Sequence, residues 1–334
     1  MNRPIFILGC HKSGTSLLRN LLDGTPGLFV IPIETHFLEI TGFQIFYALR
    51  KQNFEKVGFE NMLMQVRNML EKSNEKSIAA TQYGGDSLGS GRWDIDILVN
   101  YLERHGKNAF EQKDYRTFFQ TYFEAIHLSL LGELPVSEVR YVEKSVENAE
   151  YAGWLKKLYP DAVFIHIVRN PYAVLVSIRK FRMLHGQYPY LGNTLEAMAF
   201  SYYNALKNPL SIEGYKIIRY EDLVSKADET MQSVAALLNV PYTENMTTPT
   251  AMGETWQGNS MTGEKFSGVS SQPLSSWESA IHPLEIHLVN KYLSPYLTAF
   301  DYQPIHSGES PLRPAKGETL RTYAANRFLV FLKK

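Results

Sequence analysis

PIFILGCHKSGTSLLRNLL, residues 4–22, contains a short apolar run, a glycine-bounded loop and a second apolar run with helical spacing, in that order. Pro4–Leu8 predicts a buried strand, and Gly9–Gly14 predicts the loop that follows it. Thr15–Leu22 predicts a helix, because its apolar residues recur at helical spacing and Asp23-Gly24 is typical of a helix end. A strand, a tight loop and a helix in immediate succession predict the opening of a βαβ unit.

The loop GCHKSGTS, residues 9–16, has the position and composition of a phosphate-binding loop. Amide groups at a helix start point toward an anion, and a glycine lets the backbone approach it closely. The residues that we expect to bind a phosphate-bearing cofactor are His11, Lys12, Ser13, Gly14, Thr15 and Ser16. In the nucleotide triphosphatase pattern GxxxxGK[ST] a lysine follows the second glycine, but here Thr15 takes that place. A small-molecule kinase on the same architecture is therefore the weaker alternative.

Further strands alternate with helices along the rest of the chain. The predicted strands are Leu28–Ile31, Val139–Val142, Ala162–Val168 and Tyr215–Ile218. The predicted helices between and after them are Asn148–Tyr159, a helix that begins at Pro171, Thr194–Lys207 and Lys226–Leu238. This alternation predicts an α/β fold, a P-loop-NTPase-like parallel β-sheet flanked by helices.

We expect one domain over residues 1–304, with a mostly helical insertion at residues 37–138 on the acceptor side. A glycine-rich stretch within the insertion, Tyr83–Arg92, is the candidate for a mobile segment near a substrate entrance. Residues 305–334 are interpreted as a linker followed by an amphipathic tail helix. The residues expected to share one face of that helix are Leu320, Tyr323, Ala324, Phe328 and Phe331.

A second anion site is predicted where the strand Ala162–Val168 ends. Arg169 follows that strand directly, and Ser177 lies eight residues later. Pro171 at the helix start places Ser177 within the first two turns, so that a guanidinium and a hydroxyl can converge on one phosphate. A nucleotide with two separated phosphate groups needs two such sites at the ends of adjacent strands.

The composition limits the classes of binding partner and the cellular compartment that we expect for the protein. The chain has 34 basic and 34 acidic residues, so no global field favours nucleic acid or an anionic membrane. The single cysteine, Cys10, excludes an internal disulfide framework and favours the cytoplasm. No apolar run approaches the roughly 20 residues that a membrane-spanning helix needs, and a strand that starts at Pro4 leaves no room for a signal peptide. Peripheral contact of the tail helix with a membrane or a partner stays open.

Two stretches, HKSGTSLLRNLLD (residues 11–23) and IVRNPYAVLVSIRKF (residues 167–181), resemble the cofactor motifs of the sulfotransferases that use 3′-phosphoadenosine 5′-phosphosulfate. The first is similar to their 5′-phosphosulfate loop and the second to their 3′-phosphate motif. Tyr141–Tyr151 and Ile218–Leu223 extend the resemblance, which is to the branch with heparan sulfate and tyrosylprotein sulfotransferases and bacterial relatives of both. It implies transfer of a sulfuryl group to an acceptor hydroxyl or amine, with adenosine 3′,5′-bisphosphate as the second product.

Sulfuryl transfer needs a base near the acceptor, and cations around the sulfonate and the leaving oxygen. The resemblance implies Glu34 as the base, because related carbohydrate and tyrosyl enzymes have a glutamate at the matching position. His36 then orients Glu34 or binds the acceptor. His36 is also the alternative base, since cytosolic small-molecule sulfotransferases use a histidine.

Three lysines complete the expected site. We expect Lys12 to stabilise the leaving oxygen, Lys144 to neutralise the sulfonate or position the acceptor, and Lys265 to close over the cofactor. No His, Cys or Asp residues have metal-ligand spacing, so no metal is expected. The residues expected to be structural are Glu147, Tyr220 and Glu221. A non-catalytic nucleotide-binding module is the other alternative, and the acceptor stays open among glycans, small molecules, lipids and peptides.

Overall fold

The structure is a computed structural model. It describes residues 3–40, 58–74, 92–136, 138–186, 188–256, 258, 268–271 and 274–332. Its central sheet contains β1 (Ile5–Gly9), β2 (Leu28–Val30), β3 (Arg140–Lys144), β4 (Val163–Val168) and β5 (Tyr215–Arg219). The strands are parallel and lie in the order β2-β3-β1-β4-β5. The predicted α/β fold with a parallel sheet is confirmed.

Helices cover both faces of this sheet. In chain order they are α1 (Thr15–Leu21), α2 (Phe37–Ile40), α3 (Phe59–Asn74), α4 (Ile95–His105), α5 (Lys107–Glu111), α6 (Tyr115–Leu131), α7 (Asn148–Leu158), α8 (Pro171–Leu184), α9 (Leu191–Lys207), α10 (Tyr220–Ser225), α11 (Ala227–Leu238), α12 (Pro283–Tyr292), α13 (Ser294–Ala299) and α14 (Leu320–Phe331). A short antiparallel pair, β6 (Thr250–Ala251) and β7 (Glu254–Thr255), lies apart from the sheet.

The described residues between β2 and β3 form helices α2 to α6. Within the glycine-rich stretch singled out in the sequence, residues 83–91 lie outside the described part of the chain. None of the helices that the structure describes is both long and apolar enough to cross a bilayer.

Strand β1 is central because its side chains are apolar on both faces of the sheet. Phe6 and Leu8 pack into a core with the helices that follow β2. Ile5 and Ile7 pack on the other face, where α1 and α11 cover the sheet. A strand buried on both faces needs a continuous apolar run rather than an alternating one, and IFIL provides it.

Strand β3 is longer at its carboxyl end than the sequence predicts. Its ladder with β1 continues from Val142 to Lys144, opposite Ile5 to Ile7. Two charged residues, Glu143 and Lys144, therefore belong to a buried strand. This extension carries both side chains to the edge of the sheet where β1 ends.

The tail helix α14 packs through a different face from the one expected. Leu320, Phe328 and Phe331 are exposed, whereas Asn326 and Arg327 are buried. The Asn326 amide donates a hydrogen bond to the Pro189 carbonyl (3.1 Å) and accepts one from the backbone N–H of Leu191 (2.8 Å). Arg327 forms a buried ion pair with Glu318. Polar contacts therefore attach α14 to the segment at the start of α9.

Candidate active site

The two anion sites expected from the sequence lie side by side. They follow β1 and β4, which are neighbouring strands paired from Ile5–Val163 to Gly9–Ile167. The Arg169 guanidinium donates a hydrogen bond of 2.9 Å to the carbonyl oxygen of Lys12, so the turn after β4 is tied to the loop after β1. The parallel arrangement brings both segments to the carboxyl edge of the sheet.

Ser177 is half-buried on α8. The helical repeat indicates which way the face that carries Ser177 is turned. Phe181, four residues further along, lies on the same face of α8 as Ser177. The Lys12 ammonium nitrogen is 4.4 Å from the centre of the Phe181 ring. The face of α8 that carries Ser177 is therefore the one that turns toward the phosphate loop.

Close packing fixes the shape of the phosphate loop. Lys12 has a φ of 66° and Gly14 a φ of 104°, both in the left-handed region. A Cβ on Gly14 would lie 2.4 Å from Cδ2 of Tyr220, so only glycine fits there. The Ser13 hydroxyl donates to the Cys10 carbonyl at 2.7 Å and closes the turn. The first-turn amide groups of α1 have no acceptor within their own helix and are available to an anion.

The neighbours of Arg169 hold its side chain and its turn. The guanidinium carbon of Arg169 lies 4.3 Å from the centre of the Tyr220 ring. Glu221 accepts hydrogen bonds from the backbone N–H of Asn170 (2.9 Å) and from the Tyr302 hydroxyl (2.8 Å). Tyr220 and Glu221 thus support the anion site rather than contribute an anion-binding group.

A buried ion pair joins the ends of β2 and β3. The Lys144 ammonium donates to Oε1 of Glu34, and the two side chains are 1% and 5% exposed. Glu34 lies in the segment after β2, and Lys144 is the last residue of β3. The two strands are neighbours, and the backbone N–H of Ile31 continues their ladder with a 3.0 Å bond to the carbonyl of Val142.

His36 stands between two buried carboxylates. Its Nδ1 is 2.8 Å from Oε1 of Glu147, and its Nε2 is 3.5 Å from Oε2 of Glu34. Its backbone has a φ of 45°, and its N–H donates to the Ser145 hydroxyl at 3.1 Å. Glu39, with an oxygen 3.9 Å from Nδ1, is half-exposed and lies further away. The imidazole is therefore held by acidic groups on both of its nitrogens.

These contacts set the charge states of the cluster. Burial by itself raises the pKa of Glu34, but the positive charges of Lys144, His36 and His11 outweigh it and lower the pKa to about 2. Burial lowers the pKa of His36, but the charge and hydrogen bond of Glu147, with Glu34 beside it, raise it to about 10. At neutral pH Glu34 is a carboxylate and His36 an imidazolium.

A second network lies beneath this cluster. Glu143 accepts hydrogen bonds from the Thr35 hydroxyl (2.7 Å), the Ser145 hydroxyl and the Asn148 amide. Burial raises the pKa of Glu143 to about 7, although the hydrogen bonds from Ser145 and Thr35 oppose this rise. The network fixes the Glu34–His36 segment against the end of β3.

Two other features of the cluster were not anticipated. Glu147, which we expected to be structural, contacts His36 directly. In the sequence, an acidic residue at the start of a helix is already explained by its favourable interaction with the helix dipole. Oxygen or nitrogen atoms of Glu34, His36 and Glu147 lie within 4.8 Å of one another, which is close enough to hold a metal ion. A metal there must displace the His36 proton. Local spacing in the sequence does not reveal this group, because Glu147 lies 111 residues after His36 and only the fold brings the two together.

The remaining expected residues are placed as follows. His11 is exposed at the tip of the loop, while Ser13, Thr15 and Ser16 are buried. Lys265 lies outside the part of the chain that the structure describes.

Comparison with known proteins gives a consistent result. Residues 4–244 match the sequence profile of the sulfotransferase family. No curated protein sequence matches the chain. Among solved structures, the sulfotransferase domain from the curacin biosynthetic pathway is similar, with a TM-score of 0.56, 20% identity, and coverage of 91% of this chain and 99% of that one.

Two further structures are similar. The sulfotransferase domain of the Synechococcus PCC 7002 olefin synthase has a TM-score of 0.52, 19% identity, and coverage of 91% of this chain and 97% of its own. Sulfotransferase STF9 from Mycobacterium avium has a TM-score of 0.46, 14% identity, and coverage of 92% and 79%. The first two show a shared fold. Because the family profile matches well over half of the chain, this protein belongs to the sulfotransferase family and is an enzyme of that type.

Proposed function

We propose that this enzyme transfers a sulfuryl group from 3′-phosphoadenosine 5′-phosphosulfate to a hydroxyl or amine of an acceptor, with Glu34 as the base. One observation carries the proposal. The phosphate loop and the Arg169 turn meet at adjacent strand ends, through the 2.9 Å hydrogen bond from Arg169 to Lys12. The ion-paired Glu34 and Lys144 lie at the same edge, on the other side of β1.

The residues present fit a donor with two separated anionic groups. The loop residues from Lys12 to Ser16 suit the 5′-phosphosulfate, because they offer loop and helix amides, hydroxyl groups and an ammonium group. Arg169 and Ser177 suit the 3′-phosphate, because a guanidinium offers a planar pair of donors. When bound, the donor supplies the activated sulfuryl group. Lys12 then neutralises the charge that grows on the leaving oxygen.

Glu34 rather than His36 is suited to remove the acceptor proton. A general base must be unprotonated at the working pH, and a pKa of about 10 keeps His36 protonated at neutrality. Glu34 is ionised; Lys144 donates to its Oε1, while its Oε2 lies 3.5 Å from Nε2 of His36 and has no hydrogen-bond partner among the described residues. His36 thus positions the base and adds positive charge beside the reacting group.

Lys144 can pair with either of two anionic groups, the Glu34 carboxylate or the sulfonate of the donor. In this structure it pairs with Glu34, and its positive charge is the largest influence that lowers the pKa of Glu34 against burial. A sulfonate nearby competes for the same ammonium group. If Lys144 paired with a bound sulfonate, the pKa of Glu34 would rise and the carboxylate would be a stronger base.

The two alternatives explain less of the site. A kinase that binds a triphosphate with magnesium requires an aspartate at the end of a neighbouring strand to hold the metal. Here β3 ends in Glu143-Lys144, and β4 is followed by Arg169-Asn170. A binding module needs neither a base nor a cation beside a reacting group, whereas Glu34 and Lys144 lie at the same edge of the sheet as the phosphate loop. Neither alternative accounts for Glu34, His36 and Lys144 together.

The test is transfer of label from donor to acceptor. The enzyme is incubated with donor labelled in its sulfonate and with a panel of glycans, phenols, lipids and peptides. We expect at least one labelled product, formed in equal amount with adenosine 3′,5′-bisphosphate and without added metal. Label that appears only as free sulfate, or phosphoryl transfer from ATP with magnesium, contradicts the proposal.

A further inference from the structure

A cavity of about 40 Å³ opens beside the proposed reaction centre. It lies between the phosphate loop, the start of α7 and the middle of α9. The side chains on its wall that matter here are His11, Glu147, Glu150, Phe200, Ser201 and Asn204. A space of this size has room for about three water-sized groups, which matches a short arm of a substrate.

This cavity adjoins the cluster of Glu34, His36 and Glu147 through one shared side chain, that of Glu147. Glu147 lines it and also holds His36 at 2.8 Å, while His36 is 3.5 Å from Glu34. His11 lines it as well. An arm that occupies the cavity therefore contacts Glu147, which is linked to Glu34 through the imidazole of His36.

The described wall of the cavity is mostly apolar, and the charged side chains in it are acidic. It carries two carboxylates, Glu147 and Glu150, and neither a lysine nor an arginine. Oε2 of Glu150 is buried and has no hydrogen-bond partner among the described residues. A buried acceptor atom without a donor is costly, so a ligand that donates hydrogen bonds is favoured here. Burial also raises the pKa of Glu150 to about 7, and a neighbouring positive charge reverses that rise.

We propose that this cavity binds the arm of the acceptor next to its reacting hydroxyl, and that Glu147 and Glu150 select acceptors whose arm carries a protonated amine. Amino alcohols and amino sugars then belong to the substrate class, and carboxylated, phosphorylated or already sulfated acceptors are rejected. This inference rests on the proposed sulfuryl transfer.

The chemistry of that class is balanced without another reactant. The acceptor oxygen forms a bond to sulfur while the bond from sulfur to the 5′-phosphate oxygen breaks. The hydroxyl proton goes to Glu34, and adenosine 3′,5′-bisphosphate leaves. The ammonium group stays protonated against Glu150 and is not the nucleophile.

The test compares ethanolamine, ethylene glycol and glycolate, three alcohols of equal length with a cationic, a neutral and an anionic arm. Bisphosphate release gives kcat/KM for each. We expect ethanolamine to exceed glycolate by about tenfold or more, since one ion pair gained against one repulsion amounts to at least ~1.4 kcal/mol. Glu150→Gln should reduce this ratio to about twofold or threefold. Glu213→Gln, which removes an exposed carboxylate before β5 at the opposite edge of the sheet, should leave it unchanged.

Binding gives a second measurement that does not depend on turnover. Calorimetry with bisphosphate-saturated enzyme measures the affinity for ethanolamine and for glycolate in the wild type and in Glu150→Gln. Equal affinities in the wild type, or a preference that Glu150→Gln leaves intact, overturn the inference. Failure of the bisphosphate itself to bind instead contradicts the proposed function, so the two failures are distinguishable.

Discussion

Replacement of Glu34 by glutamine keeps the shape of the side chain and removes its charge. Lys144 is 1% exposed, and in the variant it loses its carboxylate partner. The fall in the pKa of Glu34 from 4.5 to about 2 corresponds to roughly 3 kcal/mol. Loss of one partner from a buried pair typically costs ~3–5 kcal/mol. We therefore expect Glu34→Gln to lower the free energy of unfolding by about 3 kcal/mol at neutral pH.

The lowered pKa of Glu34 determines how the free energy of unfolding changes with pH. The pKa of Glu34 is lower in the folded protein, so its stabilisation is present above pH 4.5 and is lost as the pH falls toward 2. The difference in stability between wild type and Glu34→Gln should accordingly be full at neutral pH and shrink below pH 4.5. Denaturant titrations at several pH values measure it.

Catalysis should respond to the same change separately from donor binding. Removal of a general base lowers kcat by about 10²–10⁴. The contacts that join Lys12 to Arg169 do not involve Glu34, so the dissociation constant for adenosine 3′,5′-bisphosphate should change by no more than about threefold.

Glu318→Gln is the matched control. Glu318 and Arg327 also form a buried ion pair, 2% and 5% exposed, but that pair attaches the tail helix. This variant should lose comparable stability and keep its kcat. A folded Glu34→Gln protein that turns over within tenfold of the wild type refutes the assignment of Glu34 as the base.

Three further predictions follow from the contacts of the site. Arg169→Lys keeps the charge but loses the guanidinium fork and its bond to the Lys12 carbonyl, so calorimetry should show bisphosphate affinity reduced by about 10–100-fold. Glu147→Gln removes the main charge that raises the pKa of His36, so an inflection due to His36 in the kcat/KM profile should move downward from about pH 10, and an unchanged profile counts against this role. Gly14→Ala places a Cβ 2.4 Å from Tyr220 and should abolish bisphosphate binding. The control is Gly24→Ala, where φ is 76° and nothing lies within 4 Å of the added Cβ. It should lower the free energy of unfolding by only about 1 kcal/mol and leave bisphosphate binding intact.

Local motifs made the fold predictable from the sequence and indicated where the two candidate anion sites lie. The loop at residues 9–16 follows an apolar strand and precedes a helix, and so does the turn at Arg169. At each of the two sites the strand, loop and helix signals are local in the sequence. Parallel strands then require both segments to lie at one edge of the sheet. The contact between Lys12 and Arg169 is the result of that requirement.

The pairings among Glu34, His36, Lys144 and Glu147 depend on contacts distant in sequence. Glu147 meets His36, and Lys144 meets Glu34, because β2 and β3 are neighbours in a register that the sequence does not reveal. The same reason explains why β3 extends to Lys144, since its pairing with β1 continues past the apolar residues. In α14, hydrogen bonds of the buried Asn326 to the Pro189–Leu191 segment decide which face packs, and an apolar pattern does not report such bonds.

Calorimetric titration with adenosine 3′,5′-bisphosphate, compared with ATP in the presence and absence of magnesium, tests the central claim most directly. If the loop at Lys12–Ser16 and the turn at Arg169 together hold one adenosine nucleotide, the bisphosphate binds with one-to-one stoichiometry without metal, and magnesium does not make ATP the better ligand. Absence of bisphosphate binding, or ATP binding that is tighter and requires magnesium, contradicts it.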